Sequence, residues 1–291
     1  MSRILLLAAC AVLAACGGTS DPRAPLPAPT IELSASDRAT WAPRQASRSE
    51  IPVLAYRGDA VGPRAFAREM TLLHHAGYRT ITLAALIAHL RGEPVALPPR
   101  PFVLTFDDGR LGSWRGSDAT LRRLGYGAAM FIDAGRVDKG DPAYLRWREL
   151  DALQHSGRWE VQLEAGTGKH LMRWGPSPRD VGSFYAYRGT DEVVFGWRER
   201  VFGDLSWGQR QLTFRVHGYK PLAFAPAYGN YGQTGTNDPR IPRLLLARLL
   251  GSFPLVFVQD RSPFAVRGAG TAAPVGRLQV TSERDLEALL R

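Results

Sequence analysis

The sequence predicts an α/β protein built on a parallel sheet or barrel, and two observations support this fold class. Short apolar segments alternate with amphipathic segments along residues 51–260, which is typical of strands and helices that alternate around a parallel sheet. Polar, glycine-containing motifs directly follow several of the apolar segments. In parallel α/β folds, functional side chains lie in the loops after the strands, so these motifs are the candidates for the site.

The predicted elements follow one another in order from residue 51. In the segment 63–77, Phe66, Met70 and Leu73 have helical spacing and Gly77 stands in the terminating position. A later helix, 117–125, is opened by Ser117 or Asp118 as its capping residue. The predicted strands are 51–56, 78–82, 101–106, 126–132, 159–163, 222–226 and 255–260, and the predicted helices are 63–77, 83–92, 117–125, 146–157 and 240–251.

An insert rich in aromatic residues and arginine separates two of the predicted strands. Two interpretations remain open for it: the aromatic side chains line a groove for a sugar, or the insert is a surface loop folded onto the domain. The residues concerned are Trp174, Phe184, Tyr185, Tyr187 and Trp197.

The N-terminus predicts an export signal. Arg3 precedes an apolar run over residues 4–15, which is shorter than the approximately 20 residues that a spanning helix needs. The run ends in LAAC at residues 13–16, which resembles a bacterial lipobox, so Cys16 is the predicted lipidation site. The alternative is an ordinary signal peptide with a chance cysteine. Cys10 and Cys16 are the only cysteines, so the exported body has no disulfide and relies on its core.

The domain organisation follows from these boundaries. We predict a lipoprotein signal peptide over residues 1–15, a Pro/Ala/Ser-rich tether over 16–48 and one domain over 49–291. No aspartate follows Cys16, so for a Gram-negative host we expect a lipid anchor in the outer membrane, facing the periplasm. We expect a monomer.

Charge and motif spacing argue against nucleic-acid binding and against a Walker-type nucleotide site. The formal net charge is +10, but no nucleic-acid recognition motif accompanies it, so we expect no nucleic-acid partner. A basic surface that faces anionic envelope polymers or lipids is the alternative explanation. Residues 161–171 look like a phosphate-binding loop, but Leu163 and His170 stand where a Walker loop needs Gly and Ser or Thr.

The segment LTFDDG places two adjacent acids, Asp107 and Asp108, at the end of a buried strand. Successive strand residues face opposite sides, so only a turn that begins at Asp107 can direct both carboxylates to one site. Gly109 favours that turn. Two carboxylates this close are compatible with one acting as a metal ligand and the other as a proton acceptor. The alternative is an acidic turn or a helix cap.

With the segments IPVLAYRG, PFVLTFDDG, GYGAAMFI, RELDALQHSGRWEVQLEAGT and PLAFAPAYGNYG in this order, residues 51–260 resemble the polysaccharide deacetylase family, the NodB-homology carbohydrate esterases. The AYGNYG segment and the lipobox are more similar to the biofilm poly-N-acetylglucosamine deacetylases. The resemblance implies a distorted (β/α) barrel of about seven strands. It also implies metal-dependent removal of N-acetyl groups from an N-acetylglucosamine polysaccharide of the envelope or biofilm.

The resemblance also implies residue roles. Asp107 matches the catalytic base and Asp108 the first metal ligand. Pro226, Tyr228 and Gly229 match the family's third motif, with the backbone N–H near Tyr228 stabilising the oxyanion and the aromatic rings of Tyr228 and Tyr231 available to a sugar. The alternative for a tyrosine in this segment is packing at the barrel mouth.

The second motif departs from the family pattern, which has two histidines four or five residues apart. Only His170 is present in that segment. If Glu164 replaces the missing histidine, then Asp108, Glu164 and His170 form a three-ligand set for a divalent metal, Zn²⁺ or another transition metal. If Gly166 occupies the position of the missing histidine, the site is degenerate and holds no metal.

Two further departures concern the base and the general acid. The family often has an arginine that orients the base, but Ala225 is at that position here, and the C-terminal segment has no histidine to act as the general acid. Two functions therefore remain: an active N-deacetylase, which the retained Asp107 and Asp108 favour, and an inactive relative that binds or guides the same polymer.

Overall fold

The computed structural model describes residues 21–43, 49–57 and 62–290. The predicted signal peptide and Cys16 lie outside these ranges. Each predicted strand and helix is present, but the helix Val194–Arg215 and the strands Val275–Gly276 and Leu278–Gln279, which also position the site, are not among the predicted elements. In chain order they are α1 Ala35–Thr40, β1 Glu50–Arg57, α2 Pro63–His75, β2 Tyr78–Thr80, α3 Leu83–Leu90, β3 Arg100–Asp107, α4 Leu111–Leu124, β4 Ala128–Asp133, α5 Ala134–Asp138, α6 Trp147–His155, β5 Trp159–Ala165, β6 Leu171–Arg173, β7 Val181–Ser183, α7 Val194–Arg215, β8 Ala223–Phe224, α8 Ile241–Leu250, β9 Leu255–Val258, β10 Phe264–Val266, β11 Val275–Gly276, β12 Leu278–Gln279 and α9 Glu283–Leu286.

The main sheet is a nearly closed parallel barrel. Its strands run in the order β1, β3, β4, β5, β8, β9 and β11, and every neighbouring pair along this path is parallel. The segment 275–279 joins the two ends, because β11 pairs with β9 while β12 pairs with β1. With that segment counted as one strand, the described residues form a ring of seven strands, so the predicted barrel is confirmed.

Alternation along the strands separates two cores. One set of side chains, including Leu104, Phe106 and Leu163, packs against the surrounding helices in the larger core. The other set, including Val103 and Phe131, forms a smaller core that joins β1, β3, β4, β8 and β9, and we assign it to the barrel interior. Asp107 lies on the same strand face as Val103, so the alternation directs its carboxylate into the barrel mouth.

The aromatic insert is neither a surface loop nor a groove lined by all five aromatic side chains. Residues 194–215 form the 22-residue helix α7, which the sequence analysis did not predict. Tyr185 and Trp197 are only 1% and 0% exposed and belong to the larger core. These two side chains are therefore packing residues, and neither is available to a sugar.

Helix α4 begins earlier than predicted. It starts at Leu111, so Ser117 and Asp118 lie inside it and do not cap it. The Ser117 hydroxyl donates to the Ser113 carbonyl, and Asp118 accepts a hydrogen bond from the Trp159 indole N–H at 2.8 Å. The hydrogen bond within the helix and the tertiary contact of Asp118 explain why polar side chains that usually open helices are buried in the middle of one.

The predicted tether also needs correction over residues 21–43, which pack against the domain. Trp41 is 2% exposed and belongs to the larger core. Arg23 forms an ion pair with Glu149 at 2.6 Å, and Asp37 forms one with Arg68 at 2.6 Å. Burial of the indole and these pairs hold the segment on the surface of the domain. None of the helices within the described ranges is both long and apolar enough to cross a bilayer.

Candidate active site

The two acids of the DDG motif lie at the turn that the sequence required. Strand β3 ends at Asp107, and Asp108 and Gly109 follow with φ of 76° and 66°. A left-handed conformation is unfavourable for a residue with a side chain, so the surrounding structure must hold Asp108 in place. The turn brings the carboxylates of Asp107 and Asp108 to the same mouth of the barrel, although they are adjacent in the chain.

Asp107 is paired with an arginine from the seam of the barrel. Arg277 lies between β11 and β12 and donates to both carboxylate oxygens of Asp107, at 2.7 and 3.0 Å, and to the Thr105 hydroxyl at 3.1 Å. Its side chain is 1% exposed. A two-point contact of this kind fixes both the charge and the orientation of a carboxylate. The arginine that the third motif lacks at Ala225 is thus supplied by the C-terminal segment.

Asp108 and Glu164 share one lysine. The Nζ atom of Lys169 contacts Asp108 Oδ1 and lies 2.5 Å from Glu164 Oε1. The second oxygen of Glu164 accepts the backbone N–H of Asp108 at 3.0 Å. Arg57, at the end of β1, lies 3.9 Å from the other oxygen of Asp108 and is half-exposed. We call Asp107, Asp108 and Glu164 the acidic cluster; its cationic neighbours are Arg277, Lys169 and Arg57.

Burial sets the electrostatics of this cluster. It raises the pKa of Glu164 well above its ordinary value, with the neighbouring charge of Asp107 acting in the same direction. Burial also lowers the pKa of Lys169 to about 7. Both shifts reflect the cost of holding charge away from water, and the direct contacts of Nζ with two carboxylates offset that cost.

The loop after β5 is held by a residue that the sequence analysis did not identify. Asp204, on α7, accepts hydrogen bonds from the backbone N–H groups of Gly166 and Thr167, at 3.1 and 2.6 Å, and from the Tyr185 hydroxyl at 2.6 Å. A Cβ atom on Gly166 would lie 2.3 Å from the Asp204 carbonyl oxygen. Gly166 therefore allows α7 to approach closely, and Glu164 is the residue of this segment that enters the acidic cluster.

His170 does not lie with the carboxylates. Its side chain is exposed, its ring centroid is 5.1 Å from that of Phe184, and its Nδ1 is 3.3 Å from the Thr167 carbonyl. Across residues 21–43, 49–57 and 62–290, no three His, Cys, Asp or Glu side chains lie close enough together to hold a metal ion. The structure brings Asp108 and Glu164 together, as the metal hypothesis requires, but the position between them belongs to Lys169. The described residues thus do not fit a three-ligand metal site in this conformation.

The third motif forms one short turn beside the cluster. Residues Ala227–Gly229 make a 3₁₀ turn after Pro226, in which Tyr228 has a φ of 62°. Tyr228 is 47% exposed, whereas Tyr231 is 5% exposed and packs in the larger core. Burial raises the pKa of Tyr228. Tyr228 is therefore the accessible aromatic of the motif, whereas Tyr231 is a core residue and is not available to a sugar.

Gly229 is closely packed within this turn. A Cβ atom at this position would lie 1.7 Å from the Gln259 side-chain oxygen. The backbone N–H of Gly229 donates to the Pro226 carbonyl at 2.8 Å. The Gly229 N–H is thus engaged within the turn. The oxyanion role that the resemblance implies for a backbone N–H near Tyr228 stays a prediction.

Comparisons with known proteins agree with this fold. No protein-family model matches the chain. The Bacillus subtilis protein YxkH, named as a polysaccharide deacetylase, is 24% identical over 199 residues, which cover 62% of this chain and 68% of that protein.

Solved structures share the architecture at low sequence identity. A de-N-acetylase from Aggregatibacter actinomycetemcomitans has a TM-score of 0.67 at 17% identity, covering 79% of this chain and 95% of its own. IcaB from Ammonifex degensii has a TM-score of 0.65 at 22% identity, covering 85% and 99%. The BpsB deacetylase domain from Bordetella bronchiseptica has a TM-score of 0.64 at 18% identity, covering 82% and 98%. The predicted resemblance to the polysaccharide deacetylases is confirmed.

Four residues of the site escaped the sequence analysis: Lys169, Arg277, Arg57 and Asp204. Lys169 carried a signal, because it is one of only three lysines and directly precedes His170. Arg57 also follows a predicted strand. Arg277 and Asp204 carried none, because their partners are 170 and 38 residues away in the chain.

Proposed function

Since the chain has the fold of the polysaccharide deacetylases and resembles them in sequence, we propose that it hydrolyses N-acetyl groups of an N-acetylglucosamine polysaccharide of the envelope or biofilm. The observation that carries this proposal is Asp107, which enters the barrel mouth and is oriented there by Arg277 through two hydrogen bonds. The AYGNYG segment and the IcaB and BpsB structures support a polymer of this class.

The residues of the site suggest the following reaction. Water attacks the acetamide carbonyl carbon, and its proton passes to Asp107 as the base. Arg277 keeps that carboxylate oriented, and the cations of the mouth face the oxygen that gains negative charge. The proton then moves from Asp107 to the amide nitrogen, and the C–N bond breaks to give acetic acid and an amine. A proton passes from the acid to the amine, so the final products are acetate and a protonated amine. The exposed ring of Tyr228 is the proposed contact for a sugar ring.

This function is tested by acetate release from N-acetylglucosamine oligomers. The wild-type protein is expected to release acetate, and Asp107→Asn to lose at least about 100-fold of that rate, the usual contribution of a positioned base. Asp138→Asn is the matched control, because Asp138 is an exposed aspartate on α5. Equal rates for wild type and Asp107→Asn would overturn the assignment of the base.

A second candidate is a protein that binds the polymer without cleaving it. One observation favours it: Arg277 engages both oxygens of Asp107, and Lys169 contacts both Asp108 and Glu164, so every member of the acidic cluster has a partner within the protein. Oligomer binding measured by calorimetry, without acetate release, is the expected result for this function. Tyr228→Ala is then expected to weaken binding.

We also propose that the mature protein is a monomeric lipoprotein attached at Cys16, in the outer membrane facing the periplasm. The lipobox-like residues 13–16 support this location. Labelling of cells with a fatty-acid analogue is expected to mark the wild-type protein and not Cys16→Ala. Label on both proteins would contradict the proposed anchor.

A further inference from the structure

We propose that the ammonium group of Lys169 is the built-in cation of this site and takes the place of the divalent metal ion that the resemblance implies. The chain would then bind no metal ion between Asp108 and Glu164. The position of the ammonium group between the two carboxylates can be tested without any activity, whereas its use in catalysis rests on the proposed function.

The contacts of Lys169 carry this inference. Its Nζ atom touches Asp108 Oδ1 and lies 2.5 Å from Glu164 Oε1, and its side chain is only 11% exposed. The ammonium group thus occupies the position between the two carboxylates that a ligated metal ion would take, with one positive charge instead of two. An ammonium group also offers three N–H donors, so two can serve the carboxylates while the third remains for another acceptor.

Among the residues that the structure describes, no third His, Cys, Asp or Glu side chain completes a metal site with Asp108 and Glu164. A zinc site with an open position for water normally has three protein ligands. His170 is exposed and packs beside Phe184, and Gly166 is in contact with Asp204, where no side chain fits. A metal ion would have to displace the ammonium group and would then have two carboxylates from the protein.

Lys169 is held at this position by the loop on which it lies. Asp204 fixes residues 166 and 167 through three hydrogen bonds, and a Cβ atom on Gly168 would lie 2.5 Å from the Phe184 ring. These contacts anchor the loop just before Lys169. In the proposed hydrolysis the protonated amine of Lys169 would stabilise the oxyanion in a partly dry site.

The test is metal binding by the whole protein, which does not require activity. After chelation and dialysis against Zn²⁺, wild type is expected to retain no stoichiometric zinc by elemental analysis. Lys169→His removes the ammonium and adds a ligand beside two carboxylates, so it is expected to gain about one equivalent of zinc. Lys139→His, at an exposed lysine, is the matched control and is expected to gain none.

Lys169→Ala provides a second readout. It leaves two buried carboxylates without their cation, so its Tm is expected to fall and then to rise on addition of Zn²⁺, whereas the wild-type Tm stays unchanged. One equivalent of zinc in the wild-type protein that is lost in Asp108→Asn would overturn the proposal. If Lys169→His does not fold, the zinc content of the wild-type protein and the Tm of Lys169→Ala still test the proposal.

The activity measurement separates this inference from the proposed function. Acetate release that persists at the same rate in the presence of a strong chelator supports both. Release abolished by the chelator and restored by Zn²⁺ overturns the role of Lys169 and leaves the deacetylase function standing. No release under any condition overturns the deacetylase function, while the zinc measurements still test the position of the cation.

Discussion

At the level of single residues, every carboxylate of the acidic cluster is paired with a cation. Asp107 is paired with Arg277, while Asp108 and Glu164 share Lys169. Buried charges are tolerated only where such pairing offsets the loss of hydration. The Asp107–Arg277 pair also lies at the seam where the barrel closes, so one arginine both orients the candidate base and connects β11 with β12.

We expect Arg277→Ala to lower the free energy of unfolding by about 3–5 kcal/mol, because it leaves Asp107 buried without its partner. The double variant Asp107→Leu with Arg277→Met is expected to be less destabilised than the sum of the effects of Asp107→Leu and Arg277→Met alone. Denaturant unfolding of wild type, these two single variants and the double variant measures this coupling. Strictly additive single effects would show that the pair contributes no coupling energy.

A buried glutamate outside the site predicts a pH dependence of stability. Glu69 is 2% exposed and accepts a hydrogen bond from the Tyr56 hydroxyl at 2.7 Å. Burial raises its pKa from 4.5 to about 7. The folded state therefore keeps a proton on Glu69 that the unfolded state has lost between pH 4.5 and 7, so stability falls as the pH rises through this range.

The fall attributable to Glu69 is about 3 kcal/mol. Glu69→Gln is expected to remove that part of the slope when the free energy of unfolding is measured by urea titration at several pH values. Tyr56→Phe removes a hydrogen bond that favours the ionised form, so the pKa of Glu69 rises further and the fall in stability is expected to extend to higher pH. An unchanged slope in Glu69→Gln would contradict the assignment.

At the level of elements, α7 approaches β5 closely enough to hold the loop that carries Lys169. A Cβ atom on Gly208 would lie 2.9 Å from a Leu163 methyl group and 3.0 Å from the Gly166 Cα atom. Two glycines thus face each other across the contact between helix and strand. Asp204, one turn earlier on α7, then reaches the backbone of the loop.

Two glycines of α7 give a matched test of this contact. Gly208→Ala is expected to destabilise the protein by about 1–3 kcal/mol, because the added methyl group forces β5 and α7 apart. Gly203 has no atom near its Cβ position, so Gly203→Ala is expected to stabilise the helix by up to about 1 kcal/mol. Thermal unfolding measures both, and equal shifts of Tm would contradict close packing at Gly208.

At the level of the whole molecule, residues 21–43 pack against the domain and contribute one side chain to its larger core. Trp41 fills a place in the larger core, and Arg23 reaches Glu149 on α6. The same segment has the Pro/Ala/Ser composition of a linker. It is held by a few specific contacts, and the rest of its side chains are largely exposed.

Trp41→Ala is expected to lower the free energy of unfolding by about 3–5 kcal/mol, the usual cost of removing a large aromatic side chain from a core. Leu26→Ala is the control in the same segment, because Leu26 is 39% exposed, and its effect is expected to stay within about 0.5 kcal/mol. Similar small effects of both changes in chemical denaturation would favour the tether that the composition predicted.

The sequence by itself determined the alternating α/β class and the positions of Asp107, Asp108 and Tyr228 at strand ends, because these depend on local alternation, apolar segments and turn residues. It missed α7, which contacts β5, α5 and α6 and whose apolar residues form no single face. The composition of residues 21–43 predicted a tether, whereas these residues pack against the domain. Only the tertiary structure decided the partners of the acidic cluster. Arg277 reaches Asp107 because barrel closure brings together residues 170 positions apart, and Lys169 lies between Asp108 and Glu164 because α7 fixes its loop.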